Sequence, residues 1–206
     1  MTRPTEPRAP EKARRPISIS AGSIEVVFTW RGDRWGHRIL VDGSAAWESV
    51  EGPWPATADP RWPASPVLVE LDRLGRGPDG ALVAVGQAGR SHFAASVSCV
   101  AAAAGTGELL FELACRAVER PGWLGSSYRR AAGRGVGPAA TIRPIAGCSP
   151  AGGDECDSVR ETAAGPTDRQ PIHRLLAVTR PEAGRTGPTT VAWSYRIGLE
   201  RPHRPG

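Results

Sequence analysis

FAASVSCVAAAAGTGELLFELACRA, residues 93–117, carries apolar side chains on every second position in each of its two halves. The alternating positions are Phe93, Ala95, Val97 and Cys99, and then Leu109, Phe111, Leu113, Cys115 and Ala117. A period of two is typical of a β-strand with one buried face. The alanine run at 101–104 is too short for a stable helix, and Gly105-Thr106-Gly107 follows it. The stretch therefore predicts a β-hairpin.

The same alternation recurs along the chain and predicts an all-β fold. It occurs on both sides of the Arg31-Gly32-Asp33-Arg34 turn, at residues 24–30 and 37–41, and again at residues 191–199. Shorter apolar stretches at residues 67–71, 82–85, 141–145 and 172–178 indicate further strands. Short strands separated by turns, without an amphipathic helix, favour a single β-sandwich or an open barrel.

Composition divides the chain into five segments. Residues 1–16 contain four prolines and no large apolar side chain, so they predict a disordered tail. Residues 17–130 form the main β domain. Residues 131–171 lack Leu, Phe, Trp and Tyr and predict a flexible insertion. Residues 172–199 supply C-terminal strands that complete the β domain, and residues 200–206 form a second tail.

The charge pattern argues against nucleic-acid binding. The net charge is +5, but the basic excess lies in the two end segments and the body between them is nearly neutral. A nucleic-acid surface normally gathers basic residues on one face, because release of phosphate counterions supplies much of the affinity.

The sequence also argues against a membrane location. It has no apolar run of 18 residues, and its charged, proline-rich N-terminus does not resemble a secretory signal. We expect a soluble bacterial protein of the cytoplasm, in which the four cysteines are reduced thiols.

The strongest local candidate for a functional site is the segment from Gly86 to Phe93, which contains Arg90, Ser91 and His92. It lacks the lysine and the following helix of a phosphate-binding loop. Ser91 and His92 are adjacent on a predicted strand and point to opposite faces, so this histidine cannot activate this serine. Two alternatives remain open: Arg90 and His92 share a face and bind an anion, or the segment is a turn that leads into a strand.

Tryptophans next to prolines form a second candidate surface. Trp47, Trp54 and Trp62 lie in a proline-rich stretch, residues 47–66, that predicts a long loop. Trp123 lies in another predicted loop, residues 120–128. Such aromatic side chains either bind a sugar or a proline-rich partner, or they fold over one end of the sandwich and close its core.

The cysteines and isolated histidines indicate neither a metal site nor a cofactor. Cys99, Cys115, Cys148 and Cys156 contain no closely spaced pair of the kind that zinc sites use. Cys99 and Cys115 share the apolar phase of the predicted hairpin, where they behave as small buried hydrophobic residues. If Gly105-Thr106-Gly107 is the turn, the two thiols lie near each other. His37 is in phase with apolar neighbours and predicts a histidine at the edge of the core.

Three segments resemble a family of uncharacterised bacterial proteins associated with planctomycetes. They are AGRSHF at 88–93, FELACR at 111–116 and WLGSSYR at 123–129. The resemblance covers roughly residues 23–130 and part of the C-terminal strand. It implies a bacterial origin and carries no fold, activity or ligand.

The functional hypothesis is a non-catalytic β-sandwich that binds a protein partner or a small ligand. Its predicted contact surfaces are the two tryptophan-containing loops, with Trp54, Trp62 and Trp123 as binding residues, because loops on rigid sheets carry recognition. One alternative is a hydrolase-like enzyme with a site around His92, Arg90 and Ser91 and an acid such as Glu70 or Asp72. Another is a carbohydrate-binding module that uses the tryptophans.

Overall fold

A computed structural model describes eight segments of the chain: residues 14–52, 63–75, 80–100, 107–118, 124–131, 140–145, 172–176 and 187–199. Within them lie twelve β-strands and no helix. The strands are β1 (Ile17–Ala21), β2 (Ile24–Trp30), β3 (Trp35–Val41), β4 (Ser44–Ser49), β5 (Glu70–Leu74), β6 (Ala81–Ala88), β7 (Ser91–Val100), β8 (Glu108–Ala117), β9 (Gly125–Arg130), β10 (Ala140–Pro144), β11 (Ile172–Leu176) and β12 (Thr189–Leu199). In this part of the chain nothing helical is long and apolar enough to cross a membrane.

The strands form two antiparallel sheets, which confirms the predicted all-β fold. The first sheet has the order β1-β2-β3-β4-β9-β11, and the second has the order β10-β12-β8-β7-β6-β5. Neither sheet closes on itself, so the architecture is a sandwich and not a barrel. The apolar side chains on the inner faces of both sheets form one continuous buried cluster. Burial of that shared apolar surface is the main force that holds the sheets together.

The predicted hairpin of residues 93–117 is confirmed as β7 and β8. Its register places Phe93 opposite Cys115 and Cys99 opposite Leu109. The two cysteines are therefore about 20 Å apart along the hairpin, six residues at about 3.3 Å each. The expectation that their thiols lie near each other is wrong, because Cys99 lies at the turn end of the hairpin and Cys115 lies at its opposite end. Neither cysteine forms a disulfide with a described residue: the Cys99 thiol donates a hydrogen bond to the carbonyl oxygen of Ser20 at 3.2 Å, and burial raises the pKa of Cys115 to about 11.

Two strands occur where loops were predicted. Trp47 lies in β4 and is buried, so the predicted loop at residues 47–66 begins too early. Residues 125–128, assigned to a recognition loop, are the buried start of β9. Both strands place serine, alanine or glycine at positions where apolar alternation would have marked a strand.

One glycine allows the chain to close one end of the sandwich. Gly86 on β6 faces inward, and a β-carbon there would lie 2.0 Å from the carbonyl oxygen of Val67. Val67 and Leu68 are buried at this point, just before β5 begins. The predicted strand at residues 67–71 therefore starts later, at Glu70, because its first residues cross under β6 instead of pairing along their length.

Several predictions fall on residues outside the described segments. They include Trp54, Trp62 and Trp123, residues 1–13, most of the predicted insertion and residues 200–206. Arg14, which the sequence assigned to a disordered tail, packs its guanidinium carbon 3.9 Å from the ring centroid of Trp30. It also donates a hydrogen bond to the carbonyl oxygen of Val69. The ordered fold thus starts by Arg14.

Candidate functional site

The outer face of the second sheet carries an open trough of about 540 Å³. It runs across β5, β6, β7, β8 and β12. The recess exists because Ala94 and Ala114, which pair directly across β7 and β8, have small side chains and form a low floor. Val85, opposite Ala94 on β6, is 48% exposed and adds an apolar patch. A volume of this size is in the range of small-molecule sites.

Polar side chains line one side of the trough, two residues along the strands from the alanines. His92 on β7 pairs with Gln87 on β6 and with Arg116 on β8, and Arg116 pairs with Thr190 on β12. The strand register thus lines up four side chains that are distant in sequence. All four are exposed. The Gln87 amide is held by a hydrogen bond that it donates to the carbonyl oxygen of Gly89, at 2.6 Å.

Arg116 supplies the formal positive charge of this row. The Arg116 guanidinium and the His92 ring make no hydrogen bond or ion pair with any residue that the structure describes. Arg90, at the adjoining turn, is exposed as well. Glu70 lines the trough on β5, three strands away from Arg116. Strand spacing puts their α-carbons roughly 16 Å apart, so the trough has a basic side and an acidic side.

The structure separates the three residues predicted around His92. Arg90 and His92 are both exposed, as the shared-face alternative requires. Ser91 is only 5% exposed and lies on the opposite face of β7, so the prediction that His92 cannot activate it is confirmed. Of the acids considered, Glu70 lines the same trough as His92.

Sequence reasoning missed Arg116, Gln87 and Thr190 as members of this site. Local sequence supplies part of the information for Arg116: the apolar alternation of β8 predicts that this side chain faces outward. Its position beside His92 depends on the hairpin register, which follows from the lengths of both strands and not from local sequence.

A buried polar cluster lies on the inner faces, between the sheets. His37 Nε2 is 2.8 Å from the hydroxyl oxygen of Tyr128, which is 2.6 Å from the hydroxyl oxygen of Tyr195. Tyr128 belongs to the first sheet and Tyr195 to the second. Burial lowers the pKa of His37 to about 3 and raises the pKa of each tyrosine above its ordinary value. The cluster is therefore uncharged near neutral pH, and His37 lies in the core and not at its edge.

Two tryptophans add hydrogen bonds between the sheets. The Trp193 indole on β12 donates to Ser126 Oγ on β9, at 3.2 Å. The Trp47 indole on β4 donates to the carbonyl oxygen of Ala140 on β10, at 2.9 Å. Buried polar groups must be hydrogen-bonded to avoid a desolvation cost, so these bonds fix how the two sheets lie on each other.

A small cavity of about 20 Å³ lies between the sheets near this cluster. Such a volume holds about one water molecule. Glu51 and Trp35 line the cavity, and in the described part of the chain neither Glu51 Oε2 nor Trp35 Nε1 has a hydrogen-bond partner. Glu51 Oε1 accepts a hydrogen bond from Ser49 at 2.6 Å. Burial raises the pKa of Glu51 to about 7, against the opposing effects of Ser49, Arg34 and Arg31.

Among the eight described segments there is no group of three or more His, Cys, Asp or Glu side chains that could hold a metal ion.

Comparisons with protein-family profiles, with curated protein sequences and with solved structures gave no match. The resemblance to a planctomycete family therefore stays a prediction.

Proposed function

We propose that this protein is a non-catalytic binding protein and that its contact surface is the trough on the outer face of the second sheet. One observation carries the proposal: Arg116 and His92 lie side by side at an open trough without a partner among the described residues. Neither side chain is engaged by the described part of the fold, so the hydrogen-bonding groups of both are available to a ligand. A neighbouring pair beside a 540 Å³ recess is suited to a ligand.

The distribution of reactive groups supports binding rather than catalysis. A general base needs its proton donor within about 3 Å. The serine next to His92 in sequence faces the core, and the hydroxyl of Thr190 lies beyond Arg116, two strands from His92. The chemical groups at the trough, mainly hydrogen-bond donors over an apolar floor, suit recognition.

The test is to fill the trough and measure binding. A fragment collection with anionic, neutral and cationic members is screened against the full chain by ligand-observed NMR. We expect hits that compete with one another and that disappear in Ala94→Trp, because an indole at this position occupies the floor. Circular dichroism establishes that the variant is folded.

The matched control is Ala45→Trp, an exposed alanine on β4 in the other sheet. It should bind all hits as the wild type does. A folded Ala94→Trp protein with unchanged binding, or a screen without any competing hits, would reject the trough as the contact surface.

A further inference from the structure

We propose that the ligand of the trough is a small organic molecule with one carboxylate and an apolar body. This inference rests on the proposed function and adds the chemical class of the ligand. The carboxylate lies against Arg116 and His92, and the apolar body lies over Val85, Ala94 and Ala114.

The basic row supplies the recognition of a carboxylate. A guanidinium offers two parallel N–H donors that match the two oxygens of a carboxylate, and such charge-assisted bonds are roughly twice as strong as neutral ones. The strand register places His92 and Thr190 on either side of Arg116, on the same face of the sheet. Three side chains that can donate hydrogen bonds therefore lie in one row along the trough.

The floor requires that the rest of the ligand be apolar. Ala94 and Ala114 offer only methyl groups, and Val85 exposes 48% of its surface. Contact with an apolar body would remove this surface from water, which is favourable by about 25 cal/mol per Å². Polar hydroxyls over this floor would lose their bonds to water without a replacement.

Glu70 limits the ligand to a single negative charge. Its carboxylate lies on the far side of the trough, on β5. A second anionic group on the ligand, at the end remote from Arg116, would approach this carboxylate and be repelled. The ligand is therefore a monoanion with its charge at one end.

The size of the trough favours a small molecule over a protein. A stable protein partner needs about 800 Å² on each side. The trough is bounded by five strands of one sheet, and its 540 Å³ matches a molecule of roughly drug size or smaller. Its open shape predicts weak, rapidly reversible binding.

The experiment titrates the full chain with three probes: hydrocinnamate, its primary amide and acetate. Binding is followed through the backbone amide signals of β7 and β8 by two-dimensional NMR. We expect hydrocinnamate to bind at least about tenfold more tightly than the amide, which lacks the charge. Acetate, which lacks the apolar body, should bind at least about tenfold more weakly than hydrocinnamate.

The variant Arg116→Gln removes the guanidinium and should weaken hydrocinnamate binding about tenfold. Arg38→Gln is the matched control, since Arg38 is an exposed strand arginine on the first sheet. It should bind as the wild type does. Equal affinity of the acid and the amide, or an unchanged affinity in folded Arg116→Gln, would overturn the assignment of a carboxylate.

Two further outcomes separate this inference from the proposed function. Neutral or cationic fragments that bind and are blocked by Ala94→Trp would overturn the ligand class while leaving the trough as the contact surface. A peptide with a free C-terminal carboxylate that binds at least about tenfold more tightly than hydrocinnamate would overturn the assignment to a small molecule.

Discussion

Two buried titratable side chains near the interface of the sheets respond to pH in opposite directions. Burial raises the pKa of Glu51 to about 7, so the folded state resists its ionisation. The stabilising effect of a neutral Glu51 is lost as pH rises from about 4.5 to about 7. Burial lowers the pKa of His37 to about 3, so its contribution is lost as pH falls from about 6.5 to about 3.

The two effects should cancel where their pH windows overlap. We expect the free energy of unfolding of the wild type to be nearly constant between pH 4.5 and 6.5, the ordinary pKa values of a glutamate and a histidine side chain in water. In Glu51→Gln only His37 remains, so stability should rise by about 3 kcal/mol across this interval. Urea unfolding at three pH values measures the free energy of unfolding of both proteins.

Glu70→Gln is the control for this prediction, because Glu70 is exposed. It should keep the flat profile of the wild type. A Glu51→Gln protein whose stability is also flat across the interval would contradict the lowered pKa of buried His37, and a wild type whose stability rises across it would contradict the raised pKa of Glu51.

At the scale of strands, alternation of apolar residues predicts the long central elements. The β2–β3 and β7–β8 hairpins and β12 follow from positions such as Phe28, Phe111 and Trp193, whose inward direction is fixed by burial. β4 and β9 could not be predicted in this way, because their inward positions include Ser49 and Ser126. Hydrogen bonds satisfy these serines inside the sandwich: Ser49 Oγ accepts one from the backbone N–H of His37, and Ser126 Oγ accepts one from the indole of Trp193.

The residues of the candidate site also differ in whether local sequence can identify them. His92 and Arg90 lie in one short segment, and the sequence leaves open whether they share a face that binds an anion or belong to a turn that leads into a strand. Arg116 and Thr190 join them only through the pairing of β7 with β8 and of β8 with β12. Such pairings depend on the packing of whole strands, which no local pattern contains.

Gly86 on β6 gives a prediction at the level of one strand. Gly86→Ala would place a β-carbon 2.0 Å from the Val67 carbonyl oxygen, so the buried segment before β5 must move. We expect a loss of about 2–4 kcal/mol in the free energy of unfolding, measured in urea.

Gly89→Asn is the comparison, since Gly89 has a φ of 57° and open space around it. Asparagine tolerates this conformation, so the loss should stay below about 1 kcal/mol. Similar losses at Gly86 and Gly89 would show that the segment at Val67 does not pass under β6.

At the scale of the whole molecule, Tyr128 is the central link between the sheets. Its hydroxyl contacts both His37 Nε2 and the Tyr195 hydroxyl. Tyr128→Phe deprives two buried groups of a partner and should destabilise the fold by about 2–3 kcal/mol. Tyr195→Phe also removes one bond from each of two groups, but both keep another partner: Tyr128 keeps His37, and Ser126 keeps the Trp193 indole. A loss of about 1 kcal/mol is therefore expected.

Chemical unfolding of both variants and the wild type measures these values. The order of the two losses is the critical result. A larger loss for Tyr195→Phe than for Tyr128→Phe would contradict the arrangement in which Tyr128 occupies the middle of the chain of hydrogen bonds.

The single core shared by both sheets predicts one cooperative unfolding transition. Trp35 and Trp47 belong to the first sheet and Trp193 to the second, while far-UV circular dichroism reports on all strands. Fluorescence and circular dichroism should therefore give coincident urea curves. Separate midpoints, for the wild type as well as for a Trp193→Phe protein, would mean that the sheets unfold independently.

The strand β12 faces two ways: Thr190 and Ala192 lie on its outer side, and Trp193 and Tyr195 lie on its inner side. A ligand that binds beside Thr190 contacts the same strand that carries the buried indole of Trp193. We therefore expect the fluorescence emission of Trp193 to shift when the proposed ligand binds in the trough. The ligand would not contact the indole itself, because Trp193 lies on the inner face of β12.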